Sequence, residues 1–101
     1  MKFLGCSEEL LYVHMSRILP VIDYITSEVC GRTAIIISTT EGRDILDDGL
    51  AVDLRINDLS LALQKRYYFA LNYALRKLRD VAFKPDYIHV VYNPTKFVLL
   101  Y

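Results

Sequence analysis

An aspartate inside the run Ala51-Val52-Asp53-Leu54 and a histidine inside Tyr87-Ile88-His89-Val90 are the residues of this chain best suited to do chemistry. A carboxylate within an apolar strand is either a satisfied structural group or a ligand aimed into a pocket. Gly49 and Ala51, just before it, remove side-chain bulk and let a ligand or a metal ion come close to the backbone. His89 lies between Ile88 and Val90 and shares a strand face with Tyr87 and Val91, a setting that suits a hydrogen-bonded core residue or a ligand. Asp86, three residues earlier, completes an Asp-Tyr-Ile-His pattern that can set a carboxylate near an imidazole. No serine or cysteine stands in a recognisable triad setting, and the four glycines form no phosphate-cradling loop.

The elements that must position these groups follow from periodicity. Ser7 with Glu8 and Glu9 suits a helix start, and Leu11, Met15, Ile18, Leu19, Ile22 and Ile25 recur at helical spacing. They predict a helix over about residues 8–29, kinked or interrupted near Pro20 and closed by Gly31 as a left-handed cap. A β-branched strand over 34–38 and a polar loop over 39–48 come next. Residues 51–56 alternate, with Ala51, Asp53 and Arg55 on one face and Val52, Leu54 and Ile56 on the core face. Asn57 or Asp58 caps a second helix reaching to about residue 79, its buried stripe Leu71, Ala74, Leu75 and Leu78, with Arg66, Arg76 and Arg79 solvated. Strands follow over 81–83, 87–92 and 97–101. Tyr67, Tyr68 and Tyr73 on the second helix offer aromatic surface of the kind enriched at partner interfaces. Runs of helix and runs of strand predict an α+β fold, a small and mainly antiparallel sheet packed against two helices, in one domain over 1–101.

Composition bounds the function. The chain has 101 residues, 53% of them hydrophobic, and twelve acids against twelve bases. A core of that size folds without staples, and the apolar content excludes disorder. A formal charge of zero gives no whole-molecule positive field, so no nucleic-acid partner is indicated. Cys6 and Cys30 allow at most one bridge and read as reduced, packed thiols of a cytoplasmic protein. Phe3-Leu4-Gly5-Cys6 has the look of a lipoprotein cleavage site, but the apolar stretch before it is too short for a signal peptide. The run from Ile18 is broken by Pro20, Asp23 and Glu28, which leaves no membrane span.

Gly49-Leu50-Ala51-Val52-Asp53-Leu54-Arg55, then a helix, then Pro85-Asp86-Tyr87-Ile88-His89-Val90, resembles the zinc-dependent D-alanyl-D-alanine carboxypeptidase and L-alanyl-D-glutamate endopeptidase family. Many of its members are phage endolysins or cell-wall carboxypeptidases. The family pattern is Ser-x-His-x-x-Gly-x-Ala-x-Asp followed by Asp-or-Glu-x-x-His, and the likeness extends from about Ile25 to Tyr92. The resemblance implies Asp53 and His89 as zinc ligands and Asp86 as general base.

The departures matter equally. Leu46 stands where the pattern has its first histidine, and Asp44 stands at the serine position. Tyr87 and Val91 replace the His and Glu that related sequences often carry beside the final ligand. A catalytic zinc takes three protein ligands and a water, and a leucine donates nothing. Asp44, Asp47 and Asp48 crowd the gap and offer substitute oxygen ligands, whereas His14 reads as a helix-surface or packing residue. Arg43, Arg55 and Lys84 lie beside the inferred cleft, where Arg43 and Arg55 are candidates to clamp a carboxylate. The expectation is a degenerate, non-catalytic member of that family, with no cofactor, phage-encoded and acting in a host cytoplasm, that binds or regulates a protein or peptide partner. The alternative is an active zinc metallopeptidase that cleaves peptidoglycan stem peptides.

Overall fold

The computed structural model describes residues 1–8, 11, 13–39, 51–77 and 79–93. Among them run β1 (Lys2–Phe3), α1 (Val13–Ser16), α2 (Leu19–Cys30), β2 (Ile35–Ser38), β3 (Ala51–Arg55), α3 (Leu61–Leu75), β4 (Arg79–Phe83) and β5 (Tyr87–Tyr92). The five strands form one sheet in the order β1-β2-β3-β5-β4. Only β1 and β2 pair in parallel; β2 with β3, β3 with β5 and β5 with β4 are antiparallel. The fold is α+β, a small and mainly antiparallel sheet with two long helices packed on it.

Among the described residues, the stretch expected as one long helix over 8–29 holds two helices, α1 and α2. Pro20 has no amide hydrogen to give to a preceding turn, so it is tolerated only where that donor would be unpaired anyway. It occupies the first turn of α2, and α1 stops at Ser16 before it. Ser7 therefore does not cap this helix. Gly31 closes α2 as expected, at φ 67° and ψ 27°, and its N–H donates to the Ser27 carbonyl. Leu19, Ile22 and Thr26 face the core from α2 at helical spacing.

The second helix starts later and ends sooner than expected. Ser60, in extended backbone, is its N-cap, and its hydroxyl accepts the Leu63 N–H at 3.2 Å. Asp58, one of the two expected caps, instead ion-pairs with Arg32. The helix ends at Leu75, so Arg79 belongs to β4 and not to a solvated helix face. Ala74, expected in the buried stripe, is exposed; Tyr67, Leu71 and Leu75 form it. Tyr67 is thus buried core and not partner surface. β1 escaped the sequence reading, since two residues carry no readable period. The strand expected over 97–101 lies outside the described residues.

One core joins these elements. Met15, Ile22, Ile36, Val52, Leu54, Tyr67, Leu71, Ile88 and Val90 are all buried in a single cluster. The two helices are pinned inside it by a polar contact. The Thr26 hydroxyl donates to the Ile22 carbonyl at 2.7 Å, so it accepts the Tyr67 O–H at 2.5 Å. Burial pushes the Tyr67 phenol well above its usual range.

Candidate functional site

Strand pleating sends alternate side chains to opposite faces. Val52 and Leu54 of β3, with Ile88 and Val90 of β5, face the helices and are fully buried. Asp53 and His89 therefore face away from the helices. The β3–β5 register places them opposite each other, with Ala51 against Val91 and Arg55 against Tyr87 on the same face. Ser38 of β2 pairs with Asp53 after a register shift, and Ala82 of β4 pairs with His89. The row across the sheet reads Ser38, Asp53, His89, Ala82.

The two ionisable groups of that row bond to each other. His89 Nδ1 lies 2.6 Å from Asp53 Oδ1, and Asp53 is only 5% exposed. With Asp53 ionised, Nδ1 must be the protonated nitrogen, so the carboxylate fixes both the tautomer and the plane of the ring. An oriented imidazole of this kind serves either a metal ligand or a proton-transfer group.

A separation of 2.6 Å is that of a hydrogen bond. Two ligands of one tetrahedral zinc, each roughly 2.0 Å from the ion, stand about 3.3 Å apart. At that separation His89 Nδ1 and Asp53 Oδ1 are bonded to each other and are not both ligands of one zinc. Among the described residues no group of three His, Cys, Asp or Glu side chains converges on a point that could hold a metal ion. Two donors fall short of the three protein ligands that a catalytic zinc requires, so the described residues do not by themselves fit the ion.

The remaining residues of the sequence-based site are dispersed. Asp86 lies in the turn between β4 and β5, exposed, and its backbone carbonyl accepts the Ile56 N–H at 3.2 Å. It precedes His89 by three positions, about 10 Å along an extended strand. Among the described residues, the carboxylate bonded to the imidazole is that of Asp53. Arg55 shares the face of Asp53 but turns toward the β3–α3 connection, where its Nε donates to Asn57 Oδ1 at 2.9 Å. The Arg55 carbonyl also accepts from Arg32 Nη2 at 3.0 Å. Arg43, Asp44, Leu46, Asp47, Asp48 and Gly49 lie outside the described residues.

His14 is exposed, and its ring stacks on Tyr92 with centroids 4.6 Å apart and planes 3° from parallel. That agrees with a packing residue. Arg79 Nη2 donates to the His14 carbonyl at 2.6 Å and its guanidinium lies 5.8 Å from the Tyr92 ring centre, which ties α1 to the end of the sheet. Cys6 and Cys30 are free thiols, and burial raises both above the usual thiol range. Ser38 was missed, because the bulge that aligns it with Asp53 leaves no mark in the sequence. Among the described residues no helix is long and apolar enough to cross a membrane.

No family model, curated protein or solved structure matches the chain.

Proposed function

We propose that this chain is a degenerate relative of the zinc carboxypeptidases and endolysins, one that has given up catalysis and binds or regulates a protein or peptide partner. The observation that carries the reading is the 2.6 Å bond between Asp53 and His89. The two groups that the family resemblance assigns to a metal satisfy each other, and the position of the third ligand holds Leu46. A hydrocarbon there supplies no lone pair, and loss of even a supporting contact at a metal site costs about 10 to 100-fold in affinity. Ala51 and Asp53 are then retained for the strand, with the carboxylate held by its hydrogen bond to His89.

The test is to incubate purified protein with equimolar zinc and peptidoglycan stem peptides, and to assay both cleavage and bound metal. The expected result is intact peptide and substoichiometric zinc. Chelator-sensitive cleavage, with zinc lost in Asp53→Ala and His89→Ala, would overturn the reading. It would establish an active peptidase that draws its third ligand from Asp44, Asp47 or Asp48.

A further inference from the structure

The outer face of α3 lies across the sheet and the helical layer from the Asp53–His89 pair, and its composition is unlike that of the chain as a whole. Twelve acids balance twelve bases over the full sequence, yet residues 61–77 contain Lys65, Arg66, Arg76 and Lys77 and no acid. All four cations are exposed. None of them is ion-paired with an acid among the described residues. Between the two pairs, Phe69 and Tyr73 are 65% and 73% exposed, when apolar rings of this size would ordinarily face the core.

Helical geometry makes this one surface. At 100° per residue, Lys65, Arg66, Phe69, Tyr73 and the C-cap Arg76 fall within an arc of about 100°, and Lys77 follows Arg76 directly. Arg76, the C-cap at helical φ and ψ, lies three turns and about 16 Å from Lys65, and Lys77 follows it in the turn beyond the helix, so the two rings stand between the cation pairs. Part of the surface is already organised. The Arg76 guanidinium lies 4.2 Å over the centre of the Tyr73 ring, and its Nη1 donates to the Tyr73 carbonyl at 2.7 Å. A cation held in that way loses little freedom when an anion docks on it.

We propose that this face of α3 docks an acidic segment of a partner protein, one that carries apolar side chains between two groups of acids. Charge complementarity selects the sign of the partner, and the alternation along the helix selects its pattern. A phosphodiester strand has uniformly spaced charge and would lay phosphates across Phe69, whereas an acidic peptide with an apolar centre matches all three zones. Arg76 also covers one side of Tyr73, which leaves that ring poorly suited to intercalate between bases. Exposed aromatics framed by arginine are the usual energetic centre of a protein interface. The inference stands whether or not the Asp53–His89 pair is retired, since the two sites share no residue.

Fluorescence anisotropy tests it with three labelled probes: a synthetic peptide with Glu pairs at both ends and Leu and Phe between, a single-stranded oligonucleotide of equal charge, and vesicles of phosphatidylcholine and phosphatidylserine. The acidic peptide is expected to bind best and to weaken with salt. Binding should fall roughly tenfold or more in K65E/R66E, in R76E/K77E and in F69S/Y73S, because each removes one zone. These positions are exposed, so circular dichroism should remain that of the parent, and K65Q/R66Q provides a milder version that should lose part of the affinity. Asp53→Ala should bind the peptide unchanged, which separates this surface from the strand pair. Equal binding by all the variants, no binding by the parent, or tighter binding of the oligonucleotide or the vesicles would overturn the proposal.

Discussion

The Asp53 carboxylate is nearly inaccessible to water and bonds to the His89 imidazole. A hydrogen bond to a charged group is worth about 1.5–3 kcal/mol, so His89→Ala should destabilise the fold by about 2 kcal/mol in urea titration. Asp53→Asn, which keeps the shape and removes the charge, should cost less. Tyr67 offers a second case. Its hydroxyl is the donor that satisfies Thr26, and Tyr67→Phe should cost about 1 kcal/mol with little change in the unfolding slope. At this scale the sequence was informative about which residues are unusual and silent about who meets whom. Asp53 and His89 stand out because a polar group interrupts an apolar run. That His89 meets Asp53 and not Asp86 depends on strand register, which is a long-range property. Asp86 is near His89 in the chain but out of reach along an extended strand.

Elements were legible where one face is buried and the period is clean. In residues 51–56, Val52, Leu54 and Ile56 face the core as the alternation assigns, although Ala51 and Asp53 on the opposite face are buried as well. Helix ends were less legible because several residues competed for the same role. Asn57, Asp58 and Ser60 are all capping types, and the backbone placed Ser60 at the cap while Asp58 was taken by Arg32. Ser60→Ala should therefore lower stability by about 1 kcal/mol, seen as a lower midpoint in thermal melts, whereas Asn57→Ala should have no capping effect. Pro20 shows the same limit from the other side. Its chemistry fixed a break in the first helical stretch, but only the packed structure distinguishes a kink from the start of a new helix.

The molecule as a whole is fastened by buried hydrocarbon and by a few carboxylates that hold distant segments together. Asp23 accepts the Ala34 N–H at 2.8 Å and the Thr33 hydroxyl at 2.9 Å, joining α2 to the approach to β2. The backbone bond from Ala34 holds the Asp23 carboxyl below its usual range, and the Arg32 hydrogen bond does the same for Asp58. A carboxyl that is more acidic in the folded state contributes stability above its unfolded pKa, near 4, and loses it as pH falls through the folded value. Acid titration of the unfolding free energy should show a decline below about pH 4, shallower in Asp23→Asn and in Asp58→Asn. The α+β class was readable because helical and strand runs are segregated along the chain, while the partner of each strand was not. Leu46 stands where the resemblance places a third donor beside the bonded Asp53–His89 pair, and restoring that donor is the most direct test of a retired reaction centre. Zinc stoichiometry measured on purified parent and Leu46→His should show little metal in the parent and about one ion per chain in the variant, given the three ligands that zinc prefers. A parent that already holds one zinc, released by Asp53→Ala or His89→Ala, would contradict it.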